Sequence, residues 1–509
     1  MTTASLAWFA RHEIRLSWRD LVSMLTAGRR RREPFLLAMT LCFLAFMHGV
    51  AYLIVRHAGT SGIRPDLRTL IALTAAMLLS GSAMLSQAME NVTRAFYSRS
   101  DFELILSSPA PAQEIFAVRI GAIALSVGTM SLFLTGPFID VLALENGWRW
   151  LGAYGAILAV ALITTSLAVF FTLALFDTIG PKRTRFAAQV AAAIIGAAFV
   201  IGIQIAAMLS TGTLSRVAFL HSPAVVAHAP SVQSVFWWPA RAALGDWACL
   251  LVMITVSLVL FLAVTLYAAP RFAGCALAAG SISREGNRFQ RASQTFRSRS
   301  PSQALRRKEW LLLLRDPWLM SQSLMQLLYL LPPALLLWRN FASGGNGAVI
   351  CVPVLIMAAG QLAGGLAWLT ISGEDAPDLV ASAPIRPGRL LRAKIEAVMG
   401  AVILVFCPFI VALAVVTPMA ALVAFCGIAV AASSSTAIQL WFRSQAKRSH
   451  FRRRQTSSRV ATFAEAFSSI TWAATGTVAA AGSWLALFPG SFALGILLLV
   501  RQFAPSRAA

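Results

Sequence analysis

The sequence predicts an all-α integral membrane protein of twelve transmembrane helices, arranged as two parallel six-helix repeats, each preceded by an amphipathic interfacial helix. Three observations predict it. Of the 509 residues, 58% are hydrophobic and only 12% are charged, with a mean hydropathy of +0.72, whereas soluble domains carry about 25% charged residues. The apolar residues gather into runs long enough to cross about 30 Å of hydrocarbon as helices. Four short patterns also recur in the same order in the two halves of the chain. This composition excludes an ordinary soluble enzyme, a disordered chain and a secreted disulfide scaffold. The cysteines (Cys42, Cys249, Cys275, Cys351, Cys407 and Cys426) have no CxxC spacing and mostly lie in apolar runs. They read as core residues, not as metal ligands or disulfides.

In the first half, spans are expected near 34–55, 68–90, 115–144, 150–176, 187–210 and 247–269. In the second they are expected near 318–338, 347–372, 390–417, 419–442, 463–488 and 491–505, the last being short and ending in Arg501. Gly and Pro inside them are tolerable, because neighbouring helices satisfy the freed backbone groups. The chain thus divides into a first six-span half at 1–270, whose interfacial helix occupies 5–26, and a second at 304–509. Between them, 271–303 is a cytoplasmic linker rich in Ser, Arg and Gln. No cleavable signal peptide is expected, since the first apolar run begins only after Arg29-Arg30-Arg31-Arg32.

Lys and Arg number 43 against 20 Asp and Glu, a formal net charge of +23. In a soluble protein that excess points to nucleic acid; here its distribution gives another cause. With the N-terminus in the cytoplasm, every even-numbered span returns there. Only Arg56, Arg64, Arg68, Arg149, Arg216, Arg241 and Arg339 then face outward, with the acids Asp66, Asp140, Glu145 and Asp246. The remaining bases lie inside, as the positive-inside rule requires. The expectation is an integral protein of the cytoplasmic (inner) membrane, with both termini cytoplasmic and no nucleic-acid partner. The basic runs at 181–185 and 446–454 read as anchors attracted to anionic membrane lipids.

The repeat rests on four matches. Glu13, Arg19 and Asp20 recur as Glu309, Arg315 and Asp316; ELILSSPAPAQEIFAVRI (103–120) matches DLVASAPIRPGRLLRAKI (378–395). KRTRF (182–186) matches KRSHF (447–451), and Trp238-Pro239 matches Phe488-Pro489. Each pair is closer together than the one before, so the second copy has shorter loops. Six is an even number, so the copies enter the membrane in the same orientation and are related by an axis along its normal.

Each half opens with a helix that lies in the inner interface. In the first, Leu6, Ala10, Ile14, Trp18, Leu21 and Leu25 share one face, and Arg11, His12, Arg15 and Arg19 the other. Asp20 and Asp316 end the paired Arg-Asp motifs; they read either as caps, Asp316 being followed by Pro317, or as ion-pair partners of another segment. The loop after the second span of each half carries Asp101, Glu103 and Glu114, then Glu374, Asp375 and Asp378, and is broken by Ser107-Ser108-Pro109 and by Ser382 and Pro384. These acids on a basic face are either a solvated balance for nearby Arg or a docking surface for a cytoplasmic protein. Duplication favours docking, because loops are ordinarily the variable parts.

Ionisable groups inside a membrane mark proton or ion pathways. Glu90, Asp140, Asp177, Glu396 and Glu465 lie near span ends; His48 is internal but has no acidic neighbour in sequence. A helix–helix hydrogen bond accounts for His48 as well as a relay does. His221 and His228 in the outer loop 211–246 have no third ligand nearby, so no metal is expected. That loop also holds FWWPARAALGD (236–246), whose paired Trp suits the outer interface. No GxxxxGK[ST] phosphate loop, HExxH or GxSxG occurs. The chain is expected to have no catalytic residue and no cofactor of its own.

An amphipathic interfacial helix, six spans and a docking loop between spans two and three resemble the permease of a bacterial type-2 ATP-binding-cassette (ABC) exporter. RSDFELILSSPAP is similar to the acid-then-Ser-Pro segment of such permeases, and WWPARAALGD and LWFRSQAKRSHFRRR resemble further stretches of them. The resemblance implies a fused permease, with Asp101 to Pro111 and Glu374 to Pro387 as coupling helices seated on two copies of a separate cytoplasmic ABC ATPase, which binds the ATP. It also implies export. Family members often have short re-entrant helices between spans five and six; 211–246 has room for them, whereas the second half, with little beyond LFPGS (487–491), departs from that pattern. Two other classes compete. An ion-coupled secondary transporter wants a titratable pair mid-membrane and a Gly/Arg-rich loop between spans two and three, and the sequence offers neither. A membrane enzyme of lipid or cell-wall assembly wants His and carboxylates clustered at one interface, for which only His221 and His228 are available.

Overall fold

The computed structural model describes residues 8–9, 11–16, 19, 33–57, 66–97, 112–211, 220, 222–285, 300–315, 328, 330, 335, 347–372, 374, 380, 382, 384, 387–442 and 459–503. Among the described residues every regular element is a helix. The protein is an all-helical integral membrane protein. Nine of the described helical segments are long and apolar enough to cross a membrane. The chain divides into two compact units, residues 1–294 and 295–509.

In unit 1 the helices are α1 (Glu33–His57), α2 (Leu67–Tyr97), α3 (Ala112–Asn146), α4 (Gly152–Thr211), the short α5 (Pro223–His228) and α6 (Trp238–Ala243), and α7 (Trp247–Glu285). α4 contains the expected fourth and fifth spans with no loop between them. Gly180 (φ 73°) breaks the helix there, and Pro181, lacking an N–H, restarts it. Two spans result, Trp148–Pro181 and Arg183–Ile205. Thr184 Oγ1 donates to the Gly180 carbonyl at 2.9 Å, and the Tyr97 hydroxyl at the end of α2 donates to the Pro181 carbonyl at 2.5 Å. The KRTRF run therefore opens a helix, where the sequence suggested a loop. α7 likewise runs on to Glu285, well into the expected linker.

The main core of unit 1 joins Met84, Met89 and Phe96 of α2, Phe116 and Ile120 of α3, Val169 and Leu173 of the first half of α4, and Ala188 of its second half. At the other end of these helices, Leu70, Trp150, Trp237 and Leu244 pack together. Segments expected on the same side of the membrane thus meet at the same end. Backbone closeness enforces this: a Cβ on Gly152 would lie 2.8 Å from the Ala242 carbonyl oxygen, and Gly245 (φ 91°) abuts the Arg149 carbonyl. Asp66 and Asp246 cap α2 and α7 here. Asp66 accepts the Thr69 N–H at 2.9 Å, and Asp246 accepts the N–H groups of Ala248 (3.1 Å) and Cys249 (3.3 Å).

In unit 2 the helices are α8 (Pro301–Arg315), α9 (Gly347–Ser372), α10 (Pro387–Val416), α11 (Pro418–Phe442), α12 (Arg459–Ala480) and α13 (Leu487–Phe503). Val352, Ile356 and Leu362 of α9, Val398 and Phe406 of α10, Ala424 and Ile428 of α11 and Ala473 of α12 form its core. The break between the last two spans comes earlier than expected. Gly482 (φ 72°) ends α12, Ser483 accepts the Leu485 N–H at 3.3 Å, and a 3₁₀ turn at Trp484–Ala486 leads into α13. Phe488-Pro489 sits inside that helix's first turn, where proline is tolerated. Trp148, Trp247 and Trp484 are strongly exposed at helix ends, as an interfacial aromatic belt requires. Of the cysteines, Cys249 and Cys351 are core residues as expected, but Cys42, Cys407 and Cys426 face outward; none of these five is in a disulfide. The expected span at 318–338, apart from residues 328, 330 and 335, and the Cys275 side chain lie outside the described residues.

Candidate functional site

Among the described residues, the most extended set of linked ion pairs begins on α8. Leu305, Glu309 and Leu313 fall four residues apart on its buried stripe, so a carboxylate takes a position that periodicity reserves for an apolar residue. Glu309 is 0% exposed. Its partner is Lys394 near the start of α10, whose Nζ donates to Oε1 at 3.2 Å and Oε2 at 3.1 Å. The same ammonium donates to the Thr370 carbonyl in the last turn of α9, one of the carbonyls a helix C-terminus leaves without an intrahelical partner. It lies 3.8 Å from a Glu374 carboxylate oxygen. Lys308 completes the square, donating to Glu309 Oε1 at 3.4 Å and to Glu374. Two carboxylates and two ammonium groups make the cluster neutral, which is how such charges are accommodated away from water. Beside it, Arg306 Nε donates to Glu396 at 2.5 Å. Trp310 packs over Gly400, where an added Cβ would lie 3.1 Å from its ring. Helix α8 is thereby fixed both to the end of α9 and to the start of α10.

Of the residues singled out by sequence, Glu309 and Glu374 are brought together. Glu374 turns inward to the two lysines. Arg315 is the last residue of α8; Ser382 is helical and Pro384 lies in a bend. On the first interfacial helix, Glu13 is half-buried and Arg19 exposed. Asp20, Asp101, Glu103, Ser107, Ser108, Pro109, Asp316, Asp375 and Asp378 lie outside the described residues. Sequence reasoning missed Lys394, yet a signal was present: in the matched segments it falls on Arg119, a base in both copies.

A second group lies in unit 1. His48 Nε2 is 3.3 Å from Asp140 Oδ2, and Tyr154 donates its hydroxyl to Asp140 Oδ1 at 2.7 Å. His48 Nδ1 lies 2.8 Å from the Leu44 carbonyl oxygen, which can only accept, so Nδ1 bears hydrogen. The Nε2–Asp140 contact then needs a second proton, on the imidazole or on the carboxyl. His48 has an acidic neighbour after all, 92 residues away in sequence.

A third group is a polar seam in unit 2. The Gln439 amide on α11 donates to Glu465 Oε2 on α12 at 2.7 Å, and Glu465 is buried. The Ser435 and Ser469 hydroxyls are 3.4 Å apart, and the Trp472 indole N–H donates to Ser434 at 3.2 Å.

At the helix caps, hydrogen bonds from the Thr69 hydroxyl and N–H hold the Asp66 carboxyl below the usual carboxylate range. The Cys249 N–H and thiol do the same for Asp246. Glu90 pairs with Arg94 one turn along α2. His228 bonds to its own helix, Nδ1 lying 2.8 Å from the Ala224 carbonyl, and His221 lies outside the described residues. Among the described residues no cluster of three or more His, Cys, Asp or Glu forms a metal site. Compared with protein-family models, with curated proteins and with solved structures, the chain matches none.

Proposed function

We propose that the chain is the permease of an ABC-type exporter of the cytoplasmic membrane, two six-span halves in one polypeptide, powered by two copies of a separate ATPase. The observation that carries this reading is the Glu309–Lys394–Glu374 clamp. It ties the interfacial helix α8 to the far end of α9, where the acidic loop expected to receive the ATPase begins. A permease driven from outside the membrane needs such a rigid link between docking loop and spans. With Glu374 engaged inward, contacts to the ATPase fall to Asp375 and Asp378, and in the first copy to Asp101 and Glu103. Likeness between the units gives further support. In each, the second, third, fourth and fifth expected spans all contribute to the core, joined by α7 in unit 1 and by Leu313 and Leu330 in unit 2, and each has a Ser-capped 3₁₀ turn before a helix with an early proline.

Copurification tests the reading. The chain should bring down an ABC ATPase and hydrolyse no ATP alone. Reversing Glu103 and Asp378 to Lys should weaken that association and abolish transport while insertion and expression continue. Lys394→Met should preserve association but abolish ATP-driven transport, with Lys394→Arg restoring it. Removing one partner of a buried ion pair costs about 3–5 kcal/mol, so expression of both variants must be compared.

The His48–Asp140–Tyr154 group favours a second reading, an ion-coupled secondary transporter, because it supplies a titratable pair within a spanning unit. Transport in ATPase-free vesicles under an ion gradient, lost in His48→Gln, would establish that reading and refute the first.

A further inference from the structure

The seam between α9, α11 and α12 holds a carboxyl that neither reading of the function uses. On α12, Glu465, Ser468, Ser469 and Trp472 share one face at three- and four-residue spacing. α9 meets that face with Gly360 and Gly364. A Cβ on Gly360 would collide with the Ser469 side chain, and one on Gly364 with the Glu465 carboxyl itself. The carboxyl is therefore pressed against bare backbone. Glu465 is 9% exposed, and its hydrogen bond comes from the Gln439 amide.

The charges around it decide its state. α9 and α11 carry no Asp, Glu, Lys, Arg or His along their whole lengths. α13 contributes Arg501, which is exposed, and α12 itself has only Arg459, its first residue, besides Glu465. Among the described residues no ion pair reaches Glu465. An ionised carboxylate taken from water needs a counter-charge or several donors, and one amide N–H does not replace its hydration. The alternative open to a carboxyl is to keep its proton.

We propose that Glu465 is a proton-binding site, a carboxylic acid held neutral in the seam between α9, α11 and α12. Gln439 donates to Oε2, so Oε2 acts as the acid's carbonyl oxygen and the proton belongs on Oε1. Binding of that proton and closure of the seam are linked. Losing it requires water or a cation beside the carboxylate, and the contact at Gly364 has no room for either while the helices stay packed.

The test is infrared spectroscopy of the full-length chain in lipid nanodiscs, comparing wild type with E465Q, which keeps the shape and the amide contact. At neutral pH the difference spectrum should contain the carbonyl band of a protonated carboxyl, and that band should disappear on raising the pH. A neutral-pH difference containing only carboxylate bands would overturn the proposal and point to a base from the 446–454 run as counter-charge. A protonated band lost when sodium chloride replaces choline chloride at constant pH would also overturn it, in favour of a sodium site.

If E465Q fails to insert, the wild-type chain still decides the matter. A hydrophobic carbodiimide reacts with protonated acids: the carboxyl oxygen bonds to the central carbon, the acid's proton passes to nitrogen, and the adduct rearranges to a stable N-acylurea. Peptide mass spectrometry should find that mass on Glu465 at neutral pH and lose it as the pH rises. Modification of other carboxyls with Glu465 untouched refutes the assignment. No ATPase is present in either experiment, so its outcome is independent of the transport mechanism.

Discussion

Asp66 and Asp246 hold the first turns of α2 and α7, and their depressed pKa values make those caps sensitive to acid. A carboxylate bound more tightly in the folded state contributes stability above its unfolded pKa, about 3.9, and loses it as pH falls through the lower folded value. Asn caps almost as well but does not titrate, and an Ala replacement costs about 1 kcal/mol. The double variant Asp66→Asn, Asp246→Asn should therefore melt near the wild type at pH 7 and lose less stability than it between pH 5 and pH 3. Equal losses in thermal unfolding would show that these caps do not govern acid sensitivity. At this scale the sequence was only partly legible. Glu309 stood out by its match to Glu13 and Glu374 as an acid on a basic side, and Lys394 was marked by the base it shares with Arg119. The His48–Asp140 pair was illegible, because nothing in a linear sequence brings together residues 92 apart.

At the scale of elements, hydrophobic runs set the helices well. The expected span at 347–372 coincides with α9 (Gly347–Ser372). Boundaries failed where backbone conformation, not hydropathy, ends a helix. Gly180 divides α4 with a φ of 73°, and Gly482 divides α12 from α13 with a φ of 72°. Both glycines stand in open space, so an added methyl meets no neighbour and its cost is conformational alone. Placing an L-residue in the left-handed region costs about 1–2 kcal/mol. Gly180→Ala should lower stability by about that amount, whereas Gly202→Ala, mid-helix and also in open space, should raise it slightly. A melting temperature unchanged by Gly180→Ala would mean that the break between the two spans is not fixed there.

For the whole molecule, alternation of helix ends is the legible feature, since elements expected on one side of the membrane meet at one end of each unit. Which end faces the cytoplasm is an expectation from charge, by the positive-inside rule. A reporter active only outside the cytoplasm should work when fused after Gly344 and stay silent after Ser298. Activity after Ser298 would invert the second unit and remove the basis for a parallel repeat.

The bond from Tyr97 to the Pro181 carbonyl has a mechanical consequence. It fastens the last residue of α2 to the point where the longest helix of unit 1 is jointed. A load applied to the end of α2 enters the unit at an elbow. Both arms on either side of Gly180 pack into the core, the first with more of its length buried than the second. Whatever displaces the end of α2 therefore reaches α4 at its joint, as a crank is driven at its bearing.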